Sequence, residues 1–125
     1  FVPVREDLAT PASLLNPIST RSAIEAIPEG CICVADAMGV TGAGIFGDIL
    51  CMRMVKRNVA ALITDGVMRD RHGVLGTGLP VWCQGVEASA SVNQLTFVGW
   101  NAPTGWGGRP ATLEERVVAD EGGAV

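Results

Sequence analysis

Two short segments of this chain bring glycine, carboxylate and guanidinium together: Gly47-Asp48-Ile49-Leu50 and Arg69-Asp70. The first reads as the start of a helix, where unpaired backbone N–H groups point outward and can hold a carboxylate or phosphate. The second follows Val59 to Thr64, an apolar run with the pattern of a strand buried on both faces. In open α/β sheets, ligands bind beyond the carboxyl ends of strands. Arg69 and Asp70 are therefore expected at that edge, facing the loop between Gly44 and Asp48. Asp70 is a hard oxygen ligand suited to Mg²⁺ or Mn²⁺, and Arg69 offers a planar fork matched to a carboxylate. Together they suit a small 2-oxo acid, with its keto oxygen on the metal and its negative charge on Arg69 and the helix amides. An adjacent Arg-Asp pair is more commonly a surface ion pair or turn cap, so spacing alone leaves both readings open.

Other chemistry fits less well. A Schiff-base mechanism needs a desolvated lysine, and the single lysine, Lys56, falls in a basic last helical turn. A Ser-His-Asp or Cys-His scheme must use the one histidine, His72, in the polar run RDRHG, with no elbow motif around any serine or cysteine. The glycines of GVTGAGIFG have the wrong spacing for a dinucleotide loop. Cys31, Cys33, Cys51 and Cys83 form no CxxC pair and lack partners for zinc, so they are expected to be reduced, buried thiols of a cytoplasmic protein.

The elements that position these residues follow from periodicity and turn signals. Ser19 or Thr20 caps a short helix that Pro28-Glu29-Gly30 ends, and Cys31 to Ala35 reads as a strand. Gly39, Gly42 and Gly44 suggest a loop. Phe46 to Arg57 is the strongest helix, with Phe46, Ile49, Leu50 and Met54 on one apolar face, Asp48 in its first turn, and Arg53, Lys56 and Arg57 near its end. Asn58 is its expected C-terminal cap. Asp65 to Asp70 reads as a turn, Leu75 to Pro80 as a loop, and Val81 to Gln84, Leu95 to Trp100 and Val117 to Ala119 as strands. Strand, helix and strand in this order predict one α/β domain over residues 1–125. Trp100 and Trp106 flank the turn NAPTG and are expected to be structural.

Composition narrows the partners. The net charge is −4 with no basic stripe, which argues against nucleic acid. No apolar run reaches the length of a membrane span. Charged residues make up only 18% of the chain, which points to further surface covered in an oligomer. The chain opens on FVPV, which reads as strand, and stops at DEGGAV, which reads as the middle of an element, as expected of a sequence trimmed at both ends.

The run GDILCMRMVKRNVAALITDGVMRDRHGVLGTGLPVWCQG resembles the signature of the RraA-like family, which includes regulators of ribonuclease activity and divalent-metal-dependent aldolases acting on 4-hydroxy-4-methyl-2-oxoglutarate and 4-carboxy-4-hydroxy-2-oxoadipate. More loosely, REDLATPAS, CICVADAMG and VVADEGGAV resemble flanking family segments. An older family name, dimethylmenaquinone methyltransferase, has no counterpart here, because nothing resembles a methyl-donor site. The resemblance implies a layered β/β/α sandwich of swivelling-domain type, assembled as a homotrimer or hexamer with sites at subunit interfaces. It implies that Gly47 to Leu50 hold a substrate carboxylate on their amides and that Asp48 contacts metal-bound water. Arg69 would bind substrate and balance the developing enolate, and Asp70 would ligate Mg²⁺ or Mn²⁺ directly. A further acid from the neighbouring subunit is implied and has no assigned position in this chain.

Three functions follow as expectations. The first is a metal-dependent lyase releasing pyruvate from a 4-hydroxy-2-oxo acid, with oxaloacetate decarboxylation as a side activity. The second is a protein-binding regulator of a ribonuclease E-type enzyme, for which the acidic surface would suit a basic partner. The third is a homologue that has kept the fold without the chemistry. Asp48 favours the first, since an acid in the glycine loop is not typical of the known regulators.

Overall fold

The computed structural model describes residues 1–4, 10, 12 and 15–125. Most of the REDLATPAS segment lies outside them. Three strands, β2 (Ile32–Ala35), β4 (Ala61–Thr64) and β6 (Val81–Trp82), form a parallel sheet in the order β2-β4-β6. Ile32 pairs with Ala61 and Leu62 with Val81. Every residue of β4 is buried, as its unbroken apolar run requires of a central strand. A second parallel pair joins β3 (Gly44–Phe46) to β5 (Val67–Met68), and residues 85–90 run beside it through bridges from Met68 to Val86 and from Gly44 to Ala90. An antiparallel pair, β1 (Val2–Pro3) with β7 (Leu95–Thr96), and a hairpin of β8 (Ala119–Asp120) and β9 (Gly123–Ala124) complete the strands.

Among the described residues three α-helices lie with these strands. Helix α1 (Thr20–Ala26) starts where Ser19 Oγ accepts the Ser22 N–H at 3.2 Å, the expected cap. Helix α2 (Asp48–Lys56) ends in a left-handed Asn58 at φ 56°. There the Asn58 N–H donates to Val55 O at 2.9 Å and the Val59 N–H to Met54 O at 3.0 Å, the two bonds of a Schellman turn. Met54 and Val59 are both in the core, which supplies the hydrophobic contact of that motif. Glu25 accepts two hydrogen bonds from Arg53, at 2.5 and 2.7 Å, tying α1 to α2. Ile24, Cys51, Met54, Leu62 and Ile63 are the largest fully buried side chains, so the core lies where α1 and α2 meet the three-stranded sheet.

The layered α/β expectation holds, with several corrections within it. Phe46 is not on α2. It ends β3, and Gly47 caps the helix. Ile49 is 77% exposed, so the inward face of α2 is Cys51 and Met54 rather than Ile49. The first half of the expected loop from Leu75 to Pro80 lies in helix α3 (Arg71–Thr77), which Gly78 closes at φ 76°. Strands expected at Val81 to Gln84 and Leu95 to Trp100 shorten to two residues each. Of the four cysteines only Cys51 is buried, while Cys31 and Cys83 are exposed and none is in a disulfide. No helix among the described residues is long and apolar enough to cross a membrane.

Candidate functional site

The two chemistry-bearing segments meet because β3 and β5 are parallel neighbours. Gly47-Asp48 leaves the carboxyl end of β3, and Arg69-Asp70 leaves the carboxyl end of β5. The Arg69 N–H continues the ladder by donating to Phe46 O at 3.0 Å. A parallel pair places both exits at the same edge, the usual position of ligand sites in α/β sheets.

Glycine makes the close approach possible. A Cβ built on Gly44 would lie 2.8 Å from Arg69 Cβ and 2.9 Å from Glu87 O. One on Gly47 would fall on Asp70 Oδ2, 3.0 Å from Arg69 Nε and 3.2 Å from Arg69 Cγ. The arginine stem and the Asp70 carboxylate thus occupy space that side chains at positions 44 and 47 would take. Gly47 has an extended backbone at φ −127°, so its need for glycine is spatial rather than conformational. Gly73 of α3 plays the same part for Asp48, since a Cβ there would sit 2.7 Å from Asp48 Cβ and Oδ2.

Asp70 precedes α3 in the left-handed region, at φ 56° and ψ 41°. Its backbone oxygen accepts the Val74 N–H at 2.9 Å, but its carboxylate caps nothing. That carboxylate is 45% exposed, and its one charged neighbour among the described residues is Arg69, with Nε 3.4 Å from Oδ2. Asp48 Oδ1 accepts the N–H of Ile49 at 2.7 Å in the first turn of α2. Arg69, Gly47 and Leu50 line a cleft of about 160 Å³ with Thr20, Gly44, Ile45, Ala90, Ser91 and Val92.

The structure therefore brings Gly47, Asp48, Arg69 and Asp70 to one edge and puts Leu50 in the cleft wall. Ile49 points largely to solvent, and only its backbone N–H takes part. Thr20 and the residues from Ala90 to Val92 had no signal in the sequence, since neither stretch carries a chemical motif. The donor set suits a hard cation: two carboxylates and no imidazole or thiol. Among the described residues no group of three or more His, Cys, Asp or Glu side chains could enclose a metal. A cation here would keep most of its water, as Mg²⁺ commonly does.

The family model described as "RraA-like: Aldolase/RraA" matches residues 8–125. The chain belongs to the RraA-like family. Its fold is similar to that of RraAS2 from Streptomyces coelicolor, described as an unusual member of the RNase ES inhibitor RraA protein family, at 30% identity and a TM-score of 0.84. That match covers 99% of this chain and 58% of the Streptomyces chain. The RNA-processing inhibitor RraA from Thermus thermophilis shares the fold at 17% identity and a TM-score of 0.65, covering 83% of this chain and 63% of that one. Protein DlpA of Legionella pneumophila is 22% identical over 102 residues, which are 82% of this chain and 17% of DlpA. The chain thus spans only part of the length of each of these relatives. The RraA-like family, as these descriptions have it, joins aldolases with ribonuclease inhibitors.

Proposed function

We propose that this chain is the core of a divalent-metal-dependent lyase that cleaves a 4-hydroxy-2-oxo acid to pyruvate. The observation that carries this reading is the crowding at Gly47, where Arg69 Nε, the Asp70 carboxylate and the start of α2 converge on space that a single methyl group would fill. Asp70 would hold Mg²⁺ or Mn²⁺, with Asp48 contacting its water shell, and the ion would supply Lewis-acid polarisation of the 2-keto oxygen.

The chain's own residues do the rest. Arg69 and the first turn of α2 bind the substrate carboxylate, the arginine by charge and the turn by its N–H groups other than that of Ile49, which Asp48 Oδ1 already holds. Ile45 and Leu50 supply apolar wall that excludes water. The C4 hydroxyl gives up its proton, relayed through water to Asp48, as the C3–C4 bond breaks. The bond's electron pair passes to the keto acid fragment as the enolate of pyruvate, opposite the Arg69 cation. C3 then takes a proton and pyruvate leaves, with the carbonyl fragment as second product. The same electron sink accepts the pair released when oxaloacetate loses carbon dioxide. The exposed Ile49 and Leu75, at 77% and 66%, are apolar surface near this edge that a homotrimer or hexamer would cover.

The test is pyruvate release from a panel of 4-hydroxy-2-oxo acids, 4-hydroxy-4-methyl-2-oxoglutarate among them, and from oxaloacetate, with Mg²⁺ and with EDTA. Turnover that needs both the metal and Asp70, lost in Asp70→Ala, is expected. No turnover across the panel with Mg²⁺ bound would overturn the reading. A second reading, a protein-binding regulator of a ribonuclease E-type enzyme, draws on the likeness to RraAS2 over nearly the whole chain. It predicts retention on immobilised ribonuclease E that survives moderate salt and is indifferent to Asp70→Ala.

A further inference from the structure

Two of the seven residues of helix α3 are glycine, Gly73 and Gly76. Neither is at positive φ, and each lowers helix propensity relative to alanine. At Gly76 an added Cβ would meet nothing within 4 Å. At Gly73 it would lie 2.7 Å from both Cβ and Oδ2 of Asp48 and 3.1 Å from its Cγ. Of the two, Gly73 alone has a spatial reason to be glycine. A carboxylate oxygen can swing aside by rotation about χ1, but Asp48 Cβ is fixed to the backbone of α2. Carbon contacts ordinarily need about 3.5–4 Å, so a methyl group at position 73 would drive the first turn of α2 from α3 by about 1 Å. Arg69 lies outside both helices: it leaves β5, and its N–H donates to Phe46 O at 3.0 Å. The displacement therefore falls on Asp48, whose Oδ1 takes the Ile49 N–H at 2.7 Å and whose Oδ2 lies against Gly73.

We propose that Gly73 is a positioning residue for the lyase reaction: by carrying no side chain, it lets Asp48 stand where it takes the C4 hydroxyl proton. The proposal rests on the lyase reading, which gives Asp48 that task. It also separates two reactions of the same site. Cleavage of a 4-hydroxy-2-oxo acid must move a hydroxyl proton, whereas oxaloacetate loses carbon dioxide with no such proton to remove. A methyl group at position 73 should therefore harm the first reaction far more than the second.

The experiment measures pyruvate release from 4-hydroxy-4-methyl-2-oxoglutarate and from oxaloacetate in Mg²⁺, for the unaltered protein, Gly73→Ala and Gly76→Ala. Gly73→Ala is expected to lower kcat on the hydroxy acid by about 100-fold. KM should change by less than about threefold, because Arg69 keeps its grip on the carboxylate. Oxaloacetate decarboxylation should fall by less than about threefold. Gly76→Ala removes the other glycine of the same helix, and should leave both rates within about twofold while raising Tm by a few degrees. Melts of Gly73→Ala in the unaltered chain and in Asp48→Gly test the contact even if the single variant is too unstable to assay. Gly73→Ala should lower Tm in the first background and raise it in the second, where the obstructing side chain is gone. Hydroxy-acid turnover by Gly73→Ala within about twofold of the unaltered protein overturns the proposal, as does an equal loss with both acids, which would mark a general packing role. The same Tm shift in both backgrounds overturns the contact on which it stands. No cleavage of the hydroxy acid by the unaltered protein is a different failure: it overturns the lyase reading itself, and the proposal with it.

Discussion

Replacing Gly47 by alanine adds one methyl group at the most crowded point of the candidate site. The new Cβ would fall on Asp70 Oδ2 and lie 3.0 Å from Arg69 Nε and 3.2 Å from its Cγ. An ordinary contact between a carbon and its neighbours is about 3.5–4 Å, so the carboxylate and the guanidinium must withdraw, the carboxylate by about an ångström or more. Misplacement of about 1 Å at a reacting centre lowers rates by about 100-fold. Folding should be affected far less. The extended backbone at φ −127° and ψ −173° accepts alanine. Exchanging a glycine N-cap for alanine costs about 0.5–1 kcal/mol, partly offset by about 0.4–1 kcal/mol from a stiffer unfolded chain. At about 4 °C per kcal/mol, Tm should move by only a few degrees. The assay pairs metal-dependent pyruvate release with a calorimetric melt. Activity within about twofold of the unaltered protein would refute the crowding argument. A Tm loss of more than about 10 °C would show instead that Gly47 matters to folding.

Three further outcomes follow from the packing and the ionisable groups. Hydrogen bonding to Arg53 holds the Glu25 carboxyl below its ordinary 4.5 against a smaller opposing effect of desolvation. A depressed folded-state pKa stabilises the fold above the unfolded value and loses that contribution as pH falls through the folded one. Glu25→Gln should therefore flatten the acid limb of a stability-versus-pH curve below about pH 4.5, and an unchanged limb would contradict this. Burial pushes the Cys33 thiol up to about 11 and, with Asp48 and the neighbouring thiols adding to it, the Cys51 thiol up to about 12. Alkylation at pH 8 followed by mass spectrometry should mark the exposed Cys31 and Cys83 at least about tenfold faster than Cys51, and equal rates would count against the packing of α2. Leu62, buried in the middle of β4, should cost about 2–5 kcal/mol when cut to alanine, read as a lower denaturant midpoint with an unchanged slope.

The parts of the fold that were legible in the sequence are those whose local signals agree with their tertiary setting. Ser19 caps α1, Asn58 turns the chain out of α2, and the unbroken apolar run of β4 marks a strand buried on both faces. Helix α3 was not legible, because Gly73 and Gly76 lower its intrinsic propensity and Leu75-Gly-Thr-Gly looks like a loop. It forms against α2, where Val74 is buried and the absence of a side chain at Gly73 admits Asp48. Phe46 misled for a related reason: its spacing to Ile49, Leu50 and Met54 fits a helical face, yet the chain turns at Gly47. The nearness of Gly47-Asp48 to Arg69-Asp70 follows in the sequence only from the carboxyl end of β4, because the two short strands that carry the segments, β3 and β5, lie in stretches that read as loop, helix start and turn. The wall from Ala90 to Val92 could not be anticipated, since it reaches the site through non-local pairing of residues 85–90 with β3 and β5, such as the bridge between Gly44 and Ala90.

The left-handed backbone of Asp70 has a consequence for anyone who improves this protein. A non-glycine residue at φ 56° carries a conformational penalty of about 1–2 kcal/mol, less for an aspartate than for most side chains. Glycine would relieve it, and no hydrogen bond from the Asp70 carboxylate holds the cap together. A library of variants sorted for heat resistance alone should thus enrich glycine at position 70, and the survivors would fold well while lacking a carboxylate at the mouth of the cleft. Stability and chemistry pull in opposite directions at this one residue, so thermal robustness is the wrong criterion by which to choose a working variant.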